Sequence, residues 1–148
     1  MQLDIFGELY ETFKINKPIR MVELFAGYGS QSLAMKYLNV PFEHHKICEW
    51  AVNSIIAYAD LHRNELKDYG KDFTIGMTKD EVAQKLYEYG VSLDYNKPAT
   101  LEELKRRKED RLRLCYNAIQ CSHNLVDISK VQAKDLNIVD TNIYIYIL

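Results

Sequence analysis

The chain has 148 residues, of which 47% are hydrophobic and 27% charged, and its formal net charge is -2. A chain of this size can bury one hydrophobic core, so we expect a single unit over residues 1–148. The slight acidity disfavours a dedicated nucleic-acid-binding domain, no apolar run reaches the roughly 18 residues of a membrane span, and the N-terminus lacks the pattern of a signal peptide.

The first predicted element is an amphipathic helix over residues 3–14, where apolar side chains recur at helical spacing. After it, the apolar run 19–25 predicts a β-strand, which breaks at Gly27 and Gly29 before a helix-compatible stretch over 31–38. Glycines in such a turn accept positive φ angles and let a ligand approach the main chain. Free N–H groups at the start of the following helix point toward the turn. The order therefore predicts a ligand-binding turn.

A second strand and a second helix are predicted over 42–49 and 51–61. Glu49 lies 20 residues after Gly29, where the second strand of a βαβ unit presents a carboxylate to ribose hydroxyls. Trp50, the only tryptophan, is placed to pack on an adenine ring. The plainer alternative is an ordinary strand-to-helix turn with a surface Glu. The spacing of the acidic and aromatic residues favours a nucleoside-cofactor cradle.

The type of cofactor is narrowed by Ser32, which stands where the third small residue of the dinucleotide fingerprint G-x-G-x-x-G would fall. A cofactor that carries adenosine but no pyrophosphate needs less of this glycine-rich grip on phosphate. The pattern therefore favours S-adenosylmethionine. A nicotinamide-dependent enzyme stays open as a less supported alternative.

A long segment, residues 62–120, separates the second helix from the next strand, whereas a compact βαβ connection needs far fewer residues. Two capping boxes of the form Thr-x-x-Glu predict helices inside it. The first helix begins after Thr78 and ends at Tyr89, and the second begins after Thr100 and reaches about Gln120. We therefore expect an ordered, helical insertion.

Basic residues cluster within this insertion, at Lys105, Arg106, Arg107, Lys108, Arg111 and Arg113. Such a cluster could contact phosphates. However, Glu103 and Glu109 precede Arg107 and Arg113 by four residues, a spacing that favours ion pairs within a helix. The stronger prediction is a solvated helix face.

Histidine and cysteine residues form two groups, one of His44, His45 and Cys48 and the other of Cys115, Cys121 and His123. Neither has the C-x-x-C pairing that makes a zinc site recognisable. In a strand, moreover, His44 and His45 face opposite sides. We predict structural or surface roles and no metal site. An odd number of cysteines without an export signal favours a reducing cytoplasm.

The last predicted strands are the short apolar pair before Asp127 and the alternating segment 143–148. The latter is apolar on both faces, as in a central parallel strand. Because its neighbour beyond is missing, we expect one exposed edge that pairs with a complementing polypeptide or with a second copy of the chain.

Three motifs form a recognisable set. The first is residues 23–30, Glu-Leu-Phe-Ala-Gly-Tyr-Gly-Ser, followed by a helix; the second is the strand-end pair Glu49 and Trp50; the third is Asp127 and Ile128. Together they resemble the DNA cytosine-5 methyltransferases. The resemblance implies an α/β fold, partly the Rossmann-like methyltransferase fold, with about four mainly parallel strands, flanking helices and the helical insertion.

The resemblance also implies a role for each residue in binding S-adenosylmethionine. Phe25 would border the adenine or methionine part, and the turn backbone would come from Ala26, Gly27, Tyr28, Gly29 and Ser30. Glu49 would accept the ribose hydroxyls, Trp50 would pack on adenine, and Asp127 and Ile128 would contact the adenine edge.

In that family the fourth strand runs into a Pro-Cys-Gln loop whose cysteine attacks C6 of cytosine. This chain stops within the predicted fourth strand, and none of its cysteines follows a proline. We therefore expect the N-terminal, cofactor-binding portion of a DNA methyltransferase, without catalytic residues and inactive alone. Contacts with DNA would come from the missing C-terminal parts. The alternative is a non-catalytic binding or regulatory protein that uses the insertion, residues 62–120, as its interaction surface.

Overall fold

Three parallel strands position the site, in the order β2-β1-β3. They are β1 (Ile19–Leu24), β2 (Phe42–Cys48) and β3 (Tyr144–Ile147). The computed structural model describes residues 17–139 and 144–147. The helix predicted over 3–14 lies outside the described residues. In the centre, β1 buries Met21, Val22 and Glu23 almost completely, which is expected of a parallel strand covered on both faces.

The helices follow the strands in the alternating order that the sequence predicts. They are α1 (Ser30–Tyr37), α2 (Val52–Leu61), α3 (Lys79–Tyr89), α4 (Leu101–Lys105) and α5 (Glu109–Cys121), and two short 3-10 turns follow at Ile128–Lys130 and Ala133–Leu136. Of the helices described, none has the length and apolar character needed to cross a membrane. The βαβ arrangement brings the carboxyl ends of β1 and β2 to one edge of the sheet, because parallel strands point the same way.

The insertion shares one core with α2. Ile55 of α2 packs in the same fully buried cluster as Leu86 of α3, Leu104 of α4 and Ile119 of α5. Both predicted capping boxes are present, with the Thr side chain and the Glu side chain each bonded to the other residue's backbone N–H. The insertion is therefore an integral helical layer that supports the site.

The single helix predicted from Thr100 to about Gln120 is wrong, because the chain breaks between α4 and α5. Lys108 has an extended backbone and precedes the first residue of α5. In a continuous helix Lys108 would fall on the same face as the buried Leu104 and Leu112. The break leaves Lys108 exposed and avoids burying its charge.

The strand predicted before Asp127 is also not formed as a regular strand, so the described residues contain three strands and not four. Asn124 makes an isolated parallel bridge with Ile47 of β2. Two residues later the chain turns, because Asp127 N–H donates to the Leu125 carbonyl across Val126, whose φ is 61°. This three-residue γ-turn ends the pairing.

The terminal segment predicted over 143–148 lies partly outside the described residues. Within them, β3 pairs in parallel with β1, with Arg20 opposite Tyr144. β3 is therefore a parallel strand, as predicted, and it lies at one edge of the sheet that the described residues form. Pairing of the segment with another chain stays a prediction.

Candidate functional site

A left-handed turn follows β1 and leads into α1. Phe25 has a φ of 60° and its side chain is 66% exposed. The next residue, Ala26, is buried and donates its N–H to the Cys48 carbonyl at 3.0 Å. Gly29 N–H then donates back to the Ala26 carbonyl at 2.8 Å. The turn is thereby attached to the end of β2.

Gly29 cannot be replaced by any other residue unless neighbouring atoms move. Its φ is 75°, and a Cβ built on it would lie 2.7 Å from Cε2 of Tyr58 and closer still to Nε2 of His62. A non-glycine residue would therefore meet both backbone strain and a steric clash. The second glycine of the motif is thus explained by close packing against α2 and against His62, the residue that follows α2.

A buried carboxylate fixes the start of α1. Glu23 accepts hydrogen bonds from the Ser32 hydroxyl at 2.6 Å and from the Ser32 N–H at 3.3 Å. Tyr58 of α2 donates a further hydrogen bond to the same carboxylate. Ser32, which departs from the dinucleotide fingerprint, is therefore used to anchor the helix behind the turn. Sequence reasoning did not identify this role.

Glu49 lies at the end of β2 and joins the two halves of the site. One carboxylate oxygen accepts the N–H of Gly27 at 3.0 Å, and the other accepts the N–H of Ala51 at 2.7 Å. The side chain is half-buried. Because each carboxylate oxygen offers two lone pairs, both oxygens retain capacity to accept a hydroxyl from a ligand.

Asn124 is a second anchor of this region, and sequence reasoning missed it. Its amide oxygen accepts the N–H groups of Glu49 at 3.1 Å and Val126 at 2.8 Å, while its amide nitrogen donates to the Glu49 carbonyl at 2.9 Å. The side chain thus replaces part of the missing strand pairing. It also holds the turn before Asp127 beside the end of β2.

A cavity of about 300 Å³ opens between these segments. Its walls are formed by Phe25, Cys48, Glu49, Trp50, Tyr95, Val126, Asp127 and Ile128. A mostly apolar wall with two convergent carboxylates is typical of a small-molecule site.

Five of the ten predicted site residues line this cavity, namely Phe25, Glu49, Trp50, Asp127 and Ile128. The other five, Ala26, Gly27, Tyr28, Gly29 and Ser30, form the adjoining turn and the first residue of α1. Within the turn, Gly27 contributes its N–H to Glu49, and Tyr28 contributes its carbonyl to His62. The three motifs, distant in sequence, therefore meet at one edge of the sheet.

Tyr95 is a cavity residue that the sequence did not single out. It lies on the loop between α3 and α4, has a φ of 66° and is half-exposed. Its hydroxyl forms a 3.1 Å hydrogen bond with Ser54 of α2. Backbone bonds link Ser92 of the same loop to Trp50 and Val52 at 2.8 and 2.9 Å. The insertion therefore contributes one wall of the cavity.

No family model matches the chain, but two curated methyltransferases are similar to it. The chain is 33% identical over 119 residues to the type II methyltransferase M2.ScrFI of Lactococcus lactis subsp. cremoris, which covers 80% of this chain and 32% of that protein. It is 30% identical over 132 residues to the orphan methyltransferase M.SssI of Spiroplasma monobiae, covering 86% and 33% respectively. This chain is a relative of the DNA cytosine-5 methyltransferases. It spans about a third of the length of both relatives.

In this methyltransferase relative, Asp127 begins the 3-10 turn at Ile128–Lys130. Its carboxylate accepts the Ser129 hydroxyl at 2.7 Å and the Ser129 N–H at 3.0 Å, and Lys130 Nζ lies 3.2 Å away. These hydrogen bonds, chiefly that from the Ser129 side chain, hold the pKa of Asp127 below its usual value. The group is therefore an ionised acceptor at neutral pH.

Cys48 borders the cavity, yet it is poorly suited to act as the nucleophile of a methyltransferase. Its side chain is buried and donates to the Val126 carbonyl at 3.3 Å. Burial, with the nearby Asp127 and Glu49 charges, raises the pKa of this thiol to about 12. A thiol with such a pKa is almost entirely protonated at neutral pH and is not nucleophilic.

Within the basic cluster of the insertion, Arg113 has a structural role. Arg113 forms the predicted pair with Glu109 at 2.6 Å and also donates to the Met77 carbonyl at 2.7 Å. By contrast, the predicted pair between Glu103 and Arg107 is replaced, because Glu103 caps α4 through Thr100. Part of the cluster therefore serves the fold.

Proposed function

We propose that the cavity binds S-adenosylmethionine and that this chain is the cofactor-binding portion of an enzyme that methylates C5 of cytosine in DNA. The observation that supports this most directly is the position of Glu49. Its carboxylate is fixed by the N–H groups of Gly27 and Ala51 at the meeting point of the turn and the cavity. A fixed carboxylate beside an apolar wall suits a ribose next to an adenine ring.

Each wall of the cavity has a distinct task in this proposal. Glu49 accepts the ribose hydroxyls, and the apolar side chains of Phe25, Trp50 and Ile128 enclose the adenine and exclude water. The ionised Asp127 accepts the adenine amino group, which its low pKa permits at neutral pH. When bound, the cofactor supplies an electrophilic methyl group.

The chemistry at cytosine requires more than this chain offers. C5 becomes nucleophilic only after a thiolate adds to C6 of a base turned out of the DNA helix. All three cysteines are free and buried, and burial raises the pKa of each above its usual value. We infer that the chain alone is inactive, and that the nucleophile and the DNA contacts come from other parts of a longer enzyme.

Isothermal titration calorimetry with S-adenosylmethionine and S-adenosylhomocysteine tests the cofactor proposal. We expect binding by the wild-type chain, and a weakening of roughly tenfold or more in Glu49→Gln, since a hydrogen bond to a charged group contributes about 1.5–3 kcal/mol. Glu43→Gln is the matched control, because Glu43 is exposed on β2 and does not line the cavity.

The same titration distinguishes the proposed cofactor-binding function from the alternative, a non-catalytic binding or regulatory protein. A non-catalytic binding protein that uses its insertion as the interaction surface would show no cofactor binding in either the wild type or Glu49→Gln. A result in which Glu43→Gln loses affinity as much as Glu49→Gln would contradict the proposed ribose contact.

A further inference from the structure

Two buried histidines lie side by side behind the left-handed turn that follows β1. His44 comes from β2 and His62 follows the last residue of α2, and their ring centroids are 5.0 Å apart. The His44 side chain is 3% exposed and His62 is 0% exposed. Nε2 of His44 and Nδ1 of His62 have no hydrogen-bond partner among the described residues. Each unpaired buried nitrogen costs free energy, which a ligand would recover.

Hydrogen bonds determine which ring nitrogen of each histidine carries the proton. Tyr58 donates its only hydroxyl hydrogen to Glu23, so His44 Nδ1, 2.7 Å from that hydroxyl, must be the donor. His62 Nε2 lies 3.1 Å from the Tyr28 carbonyl, which can only accept. The two unpartnered nitrogens therefore present lone pairs.

The carboxylate of Glu65 lies close to the two histidines and adds a third possible metal ligand. One ligand atom from each of His44, His62 and Glu65 lies within 4.8 Å of the others, and the described residues contain no other group of three such side chains at this spacing. A cavity of about 290 Å³ is lined by His44 and Glu65, which gives an ion access from solvent. Lys36 Nζ lies 2.9 Å from Glu65, but both side chains are 31% exposed, so Lys36 can withdraw into water.

We propose that His44, His62 and Glu65 bind a Zn²⁺ ion. Two imidazoles and one carboxylate, with a water in the fourth position, are a ligand set that Zn²⁺ accepts at about 2.0–2.2 Å. Both histidines also have the outer hydrogen bonds that orient metal ligands, His62 to a backbone carbonyl and His44 through Tyr58 to a carboxylate. The ligands come from β2, the C-terminus of α2 and the loop after it. The ion would therefore tie these segments together.

Glu65→Gln is the decisive variant, because Glu65 is exposed and its loss should leave the fold intact. Glu43→Gln is its matched control, since Glu43 lines the same cavity without belonging to the group. His62→Gln and His123→Ala form a second pair, in which His123 is exposed and also lines the cavity. Far-UV circular dichroism verifies that each variant is folded.

Calorimetric titration of the 148-residue chain with Zn²⁺, and absorption spectroscopy with Co²⁺, provide the measurements. We expect one ion per chain for the wild type and both controls, and affinity lower by roughly tenfold or more in Glu65→Gln and His62→Gln. Co²⁺ should give the visible bands of a four-coordinate nitrogen and oxygen site. Absence of binding, binding unchanged in Glu65→Gln, or a thiolate-to-cobalt band would each overturn the proposal. If His62→Gln fails to fold, Glu65→Gln decides alone.

Discussion

The side-chain amide of Asn124 holds the backbone of Glu49 from both sides, accepting its N–H at 3.1 Å and donating to its carbonyl at 2.9 Å. The same amide oxygen accepts the Val126 N–H at 2.8 Å. One buried side chain thus holds together the segment that carries Glu49 and the segment that carries Asp127. The geometry of the cavity depends on this link, because among the described residues only the isolated bridge between Ile47 and Asn124 pairs this segment with β2.

Asn124→Ala should therefore destabilise the fold and weaken cofactor binding together. The substitution leaves backbone N–H and carbonyl groups without a partner in a buried position, at a cost of about 1–3 kcal/mol. Urea denaturation measures the loss in the free energy of unfolding. Asn53→Ala is the control, because Asn53 is exposed on α2 and should change stability by no more than about 0.5 kcal/mol. Equal losses in the two variants would contradict the role of Asn124.

Sequence patterns correctly predicted the parts of the fold that depend on interactions between residues close in sequence. The capping boxes at Thr78 and Thr100 are present because the two members of each box lie three residues apart on the same helix turn. The glycine turn after β1 likewise follows from short-range preferences for backbone conformation, and β2 ends at Cys48, one residue before the predicted end.

Contacts between distant residues could not be predicted in this way. Asn124 and Glu49 are separated by 75 positions, and nothing in a short window around either residue indicates the bond. His44 and His62 belong to different elements, so their spacing in sequence matches no metal motif. The break at Lys108 contains neither Gly nor Pro; it keeps Lys108 off the helix face that buries Leu104 and Leu112 against other helices.

Replacement of the two turn glycines by alanine should have unequal effects. At Gly29 the new Cβ meets Tyr58 at 2.7 Å as well as His62, and φ is 75°, so we expect a loss of roughly 2–5 kcal/mol from strain and overpacking. At Gly27 φ is 54° but no atom lies within 4 Å, so about 1–2 kcal/mol is expected from strain alone. Thermal and urea denaturation of both variants provide the comparison. A larger loss at Gly27 would contradict the close packing described.

Tyr95 should contribute to cofactor binding through its aromatic ring. Tyr95→Ala removes one wall of the cavity, and we expect affinity for S-adenosylmethionine to fall about 3- to 10-fold, as for a lost aromatic contact. Tyr95→Phe keeps the ring and loses only the 3.1 Å bond to Ser54, so its affinity should change little. Tyr87→Ala is the control, because Tyr87 is similarly exposed on α3 and does not line the cavity. Unchanged affinity for S-adenosylmethionine in Tyr95→Ala would contradict a contribution of the insertion to cofactor binding.

The three cysteines should resist alkylation while the chain is folded. Burial raises the pKa of Cys48 and Cys115 to about 12 and that of Cys121 to about 11, whereas unfolded thiols titrate near 8.5. The folded chain thus retains protons that the unfolded chain loses, so this contribution to stability is complete below about pH 8.5 and declines as the pH rises toward 11 or 12.

Iodoacetamide at pH 8, with the modified thiols counted by mass spectrometry, measures this protection. We expect no modification of the native chain over a time in which the urea-unfolded chain takes up three groups. Native reactivity should appear only as the pH approaches 11. Rapid native modification of Cys48 at pH 8 would show a thiolate beside the cavity. It would contradict the inference that the nucleophile for cytosine comes from another part of the enzyme.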